Sequence, residues 1–270
     1  ARLYAIILTN CLDMFSATKF EFSSGFLISF LFSDTSLSVI FEILLLIFSM
    51  SDPFFPITKP GLEVWIKIEH FFPDLSYHEA KNLEEKYNAA DKEFLINKAS
   101  DFICNIVSRS RLKNQKFLFI CGPGSNGLDG IYCANKLVSR GYEIEIFNTK
   151  KNSNMSILEK FNLSDKLVND LSLDSYDYIV DCIFGYGFNR DLDDEQVKLI
   201  NRVNSSSAYI YSVDVPSGLN PLTGETCPVC VKCNCLISLL SYKRGIFTNK
   251  GRETWEDLYH SNLIPNQFTS

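Results

Sequence analysis

The chemistry-bearing residues of this 270-residue chain stand at the ends of four apolar runs. Residues 117–121 (FLFIC) open into Gly122, Pro123, Gly124, Ser125, Asn126, Gly127, Leu128, Asp129 and Gly130. Residues 176–184 (YDYIVDCIF) carry Asp181 and open into Gly185, Tyr186, Gly187, Phe188, Asn189, Arg190 and Asp191. Residues 208–215 (AYIYSVDV) carry Asp214 near their end, with Ser217 just past it, and residues 235–240 (CLISLL) are followed by Lys243. A glycine-rich turn at a helix N-terminus gathers backbone N–H groups that bind an anion such as phosphate. Carboxylates and a lysine move protons, and carboxylate, amide and hydroxyl oxygens hold hard cations. Singly, each residue has a plain reading: Asp181 or Asp214 could cap a turn, and Lys243 could be a solvated surface lysine. Their clustering after four apolar runs is what points to a site.

The elements that must position them follow from periodicity. The four runs, with a fifth at 143–148 (EIEIFN), read as strands. Ile131, Ala134, Leu137 and Val138 recur at helical spacing after the first glycine segment, which reads as a tight turn between strand and helix. Shorter helices are expected at 156–161 and 194–204. Two more precede the first strand: one opening on the capping box Ser76–Glu79, and one over 91–108 with Phe94, Ile96, Ala99, Ile103 and Val107 on one face. Strands alternating with helices predict an α/β fold whose sheet is mostly parallel. In such a sheet a ligand sits outside the carboxyl ends of the strands.

The glycine segment contains G-x-G-x-x-G, but a dinucleotide-binding dehydrogenase also needs an acid at the tip of the second strand. That strand ends Phe147-Asn148-Thr149-Lys150, with Glu145 inside it, which disfavours hydride transfer. No G-x-x-x-x-G-K-[ST] supports a P-loop kinase. A net charge of −6 argues against nucleic acid as a partner. The nine cysteines have no disulfide-framework spacing and fit a reducing compartment, the cytoplasm or alternatively the mitochondrion. Cys227, Cys230, Cys233 and Cys235 have C-x-x-C spacings that leave a thiolate metal site open, against incidental strand cysteines. Residues 1–49 are apolar and poor in charge; no run in them reaches the roughly 18–20 apolar residues of a membrane span. They are set apart from 50–270, with Met50 as an expected natural start. The prolines Pro53, Pro56, Pro60 and Pro73 mark an irregular lead-in.

GPGSNGLDG, YDYIVDCIFGYGFNRDL, SVDVPSG and ISLLSYKRG, in that order and spacing, resemble the YjeF N-terminal domain family over about residues 75–250. That is the fold of NAD(P)H-hydrate epimerases, also called apolipoprotein A-I-binding proteins. The resemblance implies a Rossmann-like three-layer α/β/α sandwich, a homodimer, and interconversion of the R and S epimers of hydrated NADH and NADPH. A separate dehydratase would then consume the repaired epimer. It implies substrate contacts from Ser125, Asn126, Gly127, Leu128 and Asp129, from residues 185–191, and from Asp214. It implies a potassium ion at Asn126, Asp181 and Ser217, and catalytic roles for Asp214 and Lys243; the chemistry of epimerisation then makes Asp214 the candidate proton shuttle, with Asp181 or Asp191 adding negative potential. Ser125 stands where the family has Asn. Leu128 stands where it has Gly, so a positive φ there would strain the leucine and its side chain could intrude on the ligand. The competing expectation is a non-catalytic dimerisation or scaffold domain of the same fold, as in mRNA decapping enhancers. Asn126, Asp129, Asp181 and Asp214 together favour the enzyme.

Overall fold

The computed structural model of the protein describes residues 57–58, 93–109, 114–261 and 263. The expected division at residues 49/50, the proline-rich lead-in (apart from a two-residue strand) and the helix at Ser76 lie outside them. The elements are β1 (Ile57–Thr58), α1 (93–107), β2 (Lys116–Cys121), α2 (Ser125–Ser139), β3 (Glu143–Asn148), α3 (Met155–Lys160), β4 (Tyr178–Cys182), α4 (Asp194–Ser205), β5 (Tyr209–Val213), β6 (Cys233–Leu239) and β7 (Trp255–Ser261). They form one seven-stranded sheet in the order β1-β7-β6-β5-β4-β2-β3. β2 to β7 pair in parallel, and the two-residue β1 closes one edge antiparallel to β7.

β2 and β4 are buried along nearly their whole length, because helices cover both faces. Period-two alternation sends Leu118, Ile120, Ile179, Ile210 and Leu236 to one face, where Ile200 and Val203 of α4 meet them. Phe117, Phe119, Val180, Val213 and Ile237 take the other face, packed by Ile103 of α1 and Ile131 and Leu137 of α2. This is the expected three-layer α/β/α sandwich. α4 begins where its sequence says it should: Asp193 accepts from the Gln196 N–H at 2.8 Å, and the Gln196 side chain accepts from the Asp193 N–H at 3.2 Å.

Three details differ from the sequence reading. Phe94, placed on the apolar face of α1, is 45% exposed, with the Lys98 ammonium 5.5 Å from its ring centroid; Leu95 takes the inward position instead. β7 has no clean alternation (Glu256, Asp257 and His260 interrupt it) and escapes notice in the sequence. The glycine segment is the third. α2 starts at Ser125, so Ser125 to Gly130 are helical rather than a turn. Two glycines there serve close packing. A Cβ on Gly127 would lie 1.9 Å from the Gly122 carbonyl oxygen, and one on Gly130 would lie 2.7 Å from Cys182 Sγ. Gly127→Ala should therefore destabilise the protein by about 2 kcal/mol or more, despite alanine's better helix propensity. Urea denaturation measures it; a stability equal to or above wild type would contradict the packing role.

Candidate active site

β2, β4, β5 and β6 end at one cavity of about 470 Å3, as the parallel sheet demands. Pro123, Gly124, Ser125, Asn126 and Asp129 line it from the start of α2, residues 185–190 from the loop after β4, and Asp214 and Lys243 from the ends of β5 and β6. Gly127 and Leu128 do not line it, and neither does Asp191. Leu128 is half-buried within α2 and is not among the residues with positive φ, so the feared strain does not arise. Gly124 caps α2 in extended conformation without a side-chain bond, and no acidic residue stands in the first turn. The first-turn N–H groups of a 15-residue helix thus meet the cavity.

Asp214 is held from three sides. One carboxylate oxygen, Oδ1, accepts from Lys243 Nζ in a buried ion pair. The other, Oδ2, accepts from the Tyr186 N–H at 2.7 Å. Its own N–H donates to Ile237 O at 2.7 Å. Its backbone is left-handed (φ 71°), and the N–H of Val215 closes back onto Val213 O at 2.9 Å, forming a tight γ-turn. The end of β6 repeats the device: Leu240 has φ 63°, and the Ser241 N–H donates to Leu239 O at 2.7 Å. Each strand-end carbonyl also takes a side-chain donor, Asn126 Nδ2 on Val213 O at 3.1 Å and Lys243 Nζ on Leu239 O. Gly185 is required opposite Asp214, since a Cβ there would lie 2.8 Å from Oδ2. Within the same loop Phe184 and Phe188 stack at 4.6 Å, and the Arg190 guanidinium lies 5.4 Å from the Phe184 ring centroid.

Asp181 and Ser217, expected beside a cation, sit behind the cavity wall. Asp181 is 1% exposed and accepts four hydrogen bonds: from the Ile183 N–H (3.2 Å) and Ser217 Oγ (2.6 Å) on Oδ1, and from Ser212 Oγ and the Ser217 N–H (both 2.9 Å) on Oδ2. Burial raises its pKa, and those bonds oppose the rise. Ser217 Oγ also accepts from the Phe184 N–H at 3.0 Å. Asn126 differs. Its Nδ2 donates to Phe184 O (2.8 Å) and Val213 O, while its Oδ1 is buried and has no hydrogen-bond partner among the described residues. The two carbonyls fix this amide orientation, because a flipped amide would set oxygen against oxygen.

The four clustered cysteines do not form a metal centre: among the described residues no group of three or more His, Cys, Asp or Glu side chains is placed to hold an ion. Burial pushes the Cys230 thiol up to about 12.

The sequence reading did not single out the apolar wall as part of the site. Leu95, Ile96 and Ala99 of α1, with Leu239, Leu240 and Leu263, line the cavity beside the polar groups. It also passed over His260, which stacks on Tyr242 at 3.8 Å beneath the site. Burial, and then the nearby Lys243 charge, lower the His260 pKa to about 3, opposed by a bond to the Ser238 backbone. The unfolded chain takes up this proton near 6.5 and the native state only near 3. Stability present above pH 6.5 is therefore lost as the pH falls toward 3, by up to about 5 kcal/mol. His260→Phe, which keeps a ring on Tyr242, should flatten this limb in pH-dependent denaturation; an unchanged acid limb would refute it.

Comparison with known proteins agrees with this geometry. The model of the family described as YjeF-related protein N-terminus matches residues 92–245. The bifunctional NAD(P)H-hydrate repair enzyme Nnr of Dictyoglomus turgidum is 32% identical over 187 residues, covering 63% of this chain and 36% of its own length. The NAD(P)H-hydrate epimerase of Entamoeba histolytica is 34% identical over 142 residues, covering 51% and 64%. The NAD(P)H-hydrate epimerase of Plasmodium knowlesi is 32% identical over 156 residues, covering 54% and 53%. The chain thus spans between 36% and 64% of the length of these curated relatives. The crystal structure of yeast ynu0, YNL200c, shares the fold with a TM-score of 0.53 at 19% identity, over 67% of this chain and 85% of that one. With the family matched over more than half of its residues, and its motifs brought to one cavity, the chain belongs to the YjeF-related protein N-terminus family.

Proposed function

We propose that the protein is an NAD(P)H-hydrate epimerase, an isomerase that interconverts the R and S epimers of hydrated NADH and NADPH. The observation that carries this reading is the Asp214–Lys243 pair, set on a left-handed backbone at the wall of a cavity whose other side is a helix N-terminus. The relatives named as epimerases support it. The substrate's pyrophosphate suits the first-turn N–H groups of α2, which accept an anion without a cationic side chain. Epimerisation needs the ring hydroxyl to leave with a proton and water to return on the other face. In between the ring is a cation, which the negative potential of Asp214 stabilises. In this reading Asp214 is the proton shuttle, and Lys243, which donates to its Oδ1, is the group that exchanges the proton with it.

A potassium ion is part of the proposal. Asn126 Oδ1, an acceptor with no hydrogen-bond partner, fits a cation, whereas the oxygens of Asp181 and the hydroxyl of Ser217 are already engaged. Asn126 would hold the ion directly, and Asp181 would supply negative charge from behind. When bound, the ion supplies positive charge beside the substrate's phosphates. We further propose a homodimer, a separate or appended dehydratase as the consuming partner, and the cytoplasm as location, the last on the buried free thiols.

Asp214→Asn should lower the rate of approach to epimer equilibrium by about 10²–10⁴-fold, as expected for loss of a general acid–base group. Asparagine tolerates the left-handed φ, but it leaves the buried Lys243 ammonium without its anion, so the thermal midpoint should fall and rates are compared at a temperature where both proteins are folded. Chromatography of the R and S hydrates against a buffer control measures the rate; activity within a few-fold of wild type would overturn the assignment. Potassium chloride should raise the wild-type midpoint above that in lithium chloride of equal ionic strength. Asn126→Ala should abolish that difference, and its survival would remove Asn126 from the cation site.

A further inference from the structure

Among the described residues, seven non-glycines have left-handed φ. Asn152, Asn154, Asn162 and Asn249 are asparagines, and Asp214 belongs with them as a residue that tolerates this region. The remaining two are leucines, Leu240 (φ 63°) and Leu263 (φ 56°), whose Cβ is crowded there. Both line the cavity. Ser261, at the end of β7, holds both: its carbonyl accepts from the Leu240 N–H at 2.8 Å, and its Oγ from the Leu263 N–H at 3.2 Å. The turn centred on Leu240 also presents the Leu239 carbonyl to Lys243 Nζ. Leu240 therefore stands beside the Asp214–Lys243 pair, and Ile96 of α1 lines the same cavity. A glycine at 240 would form the turn without crowding. What leucine adds at this φ is apolar surface inside the cavity.

We propose that Leu240 is a specificity-determining residue. With Leu263 and Ile96 it forms an aliphatic slot that takes the uncharged, carboxamide-bearing ring of a reduced nicotinamide nucleotide, beside the Asp214–Lys243 pair. This deepens the epimerase reading and rests on it for the identity of the ring. The uncharged ring meets leucine and isoleucine across its apolar faces, while the ion pair meets its polar edge. The slot thus selects for the ring itself, whereas the α2 N-terminus selects only for phosphate.

Titration calorimetry with reduced nicotinamide mononucleotide and with ribose 5-phosphate, the same ligand without its ring, tests the slot. Wild type should prefer the mononucleotide by at least about tenfold, or about 1.4 kcal/mol. Leu240→Gly and Leu240→Ala should both erase most of that preference, and Leu240→Met should keep it within threefold. The glycine variant should melt about 2–4 °C above the alanine variant, the signature of a left-handed φ that a role confined to packing would not give. A ring preference intact in Leu240→Gly, or absent in wild type, would overturn the inference, and so would an alanine variant melting at or above the glycine one. Wild type that epimerises the hydrate while Leu240→Gly keeps its preference loses only the slot. Wild type that shows the slot but does not epimerise loses only the epimerase reading.

Discussion

A buried carboxylate with all its bonding positions used, Asp181, is the constraint on which the cavity depends. It has no ion-pair partner among the described residues, so neutral donors must compensate its removal from water. Those donors come from three places: Ile183 just past β4, Ser212 in β5, and Ser217 in the turn after β5. Meeting Asp181's demand therefore fixes the spacing of β4 and β5 at their carboxyl ends. Ser217 passes the constraint on by accepting from the Phe184 N–H, and Phe184 O accepts from Asn126 Nδ2. One anion thus aligns the loop after β4 with the first turn of α2, without facing the ligand itself.

The second constraint is the turn at each strand end. Ordinary strands leave along the sheet direction. Here β5 and β6 stop in left-handed residues, and each last carbonyl is shared between its own turn and a side-chain donor. Backbone strain of this kind costs on the order of 1–3 kcal/mol per residue and persists only where the surroundings enforce it. β7 provides part of that enforcement through Ser261. The edge strand the sequence hides is thus a structural support of the site.

Much of the fold was legible because it rests on local pattern. The buried runs at 117–121 and 208–215 are too apolar and too short to be anything but inner strands, and helical spacing between them forces parallel pairing. Asp214 and Lys243 stood out as polar groups at strand ends, and they do meet. Leu128 was misjudged because a glycine-rich string reads as a turn. Those glycines are demanded by close approach to Gly122 and Cys182, which the folded sheet brings against the first turns of α2. Asp181 and Ser217 were legible as site residues, but their depth behind the wall was not, since burial of a polar residue depends on which partners surround it.

The sequence alone therefore determined the α/β class, the strand ends from which a site must be built, and the family to which their motifs belong. The first two follow from periodicity and from residue order along the chain, and the third from the resemblance its four ordered motifs carry. Only tertiary structure decided that Asn126 presents an oxygen with no hydrogen-bond partner among the described residues, that Asp181 and Ser217 brace the cavity from behind, and that leucines of α1, of the end of β6 and of the segment just past β7 form its apolar wall. The physical reason is that hydrogen-bond satisfaction and left-handed φ are set by neighbours far away in the chain, which no local pattern records.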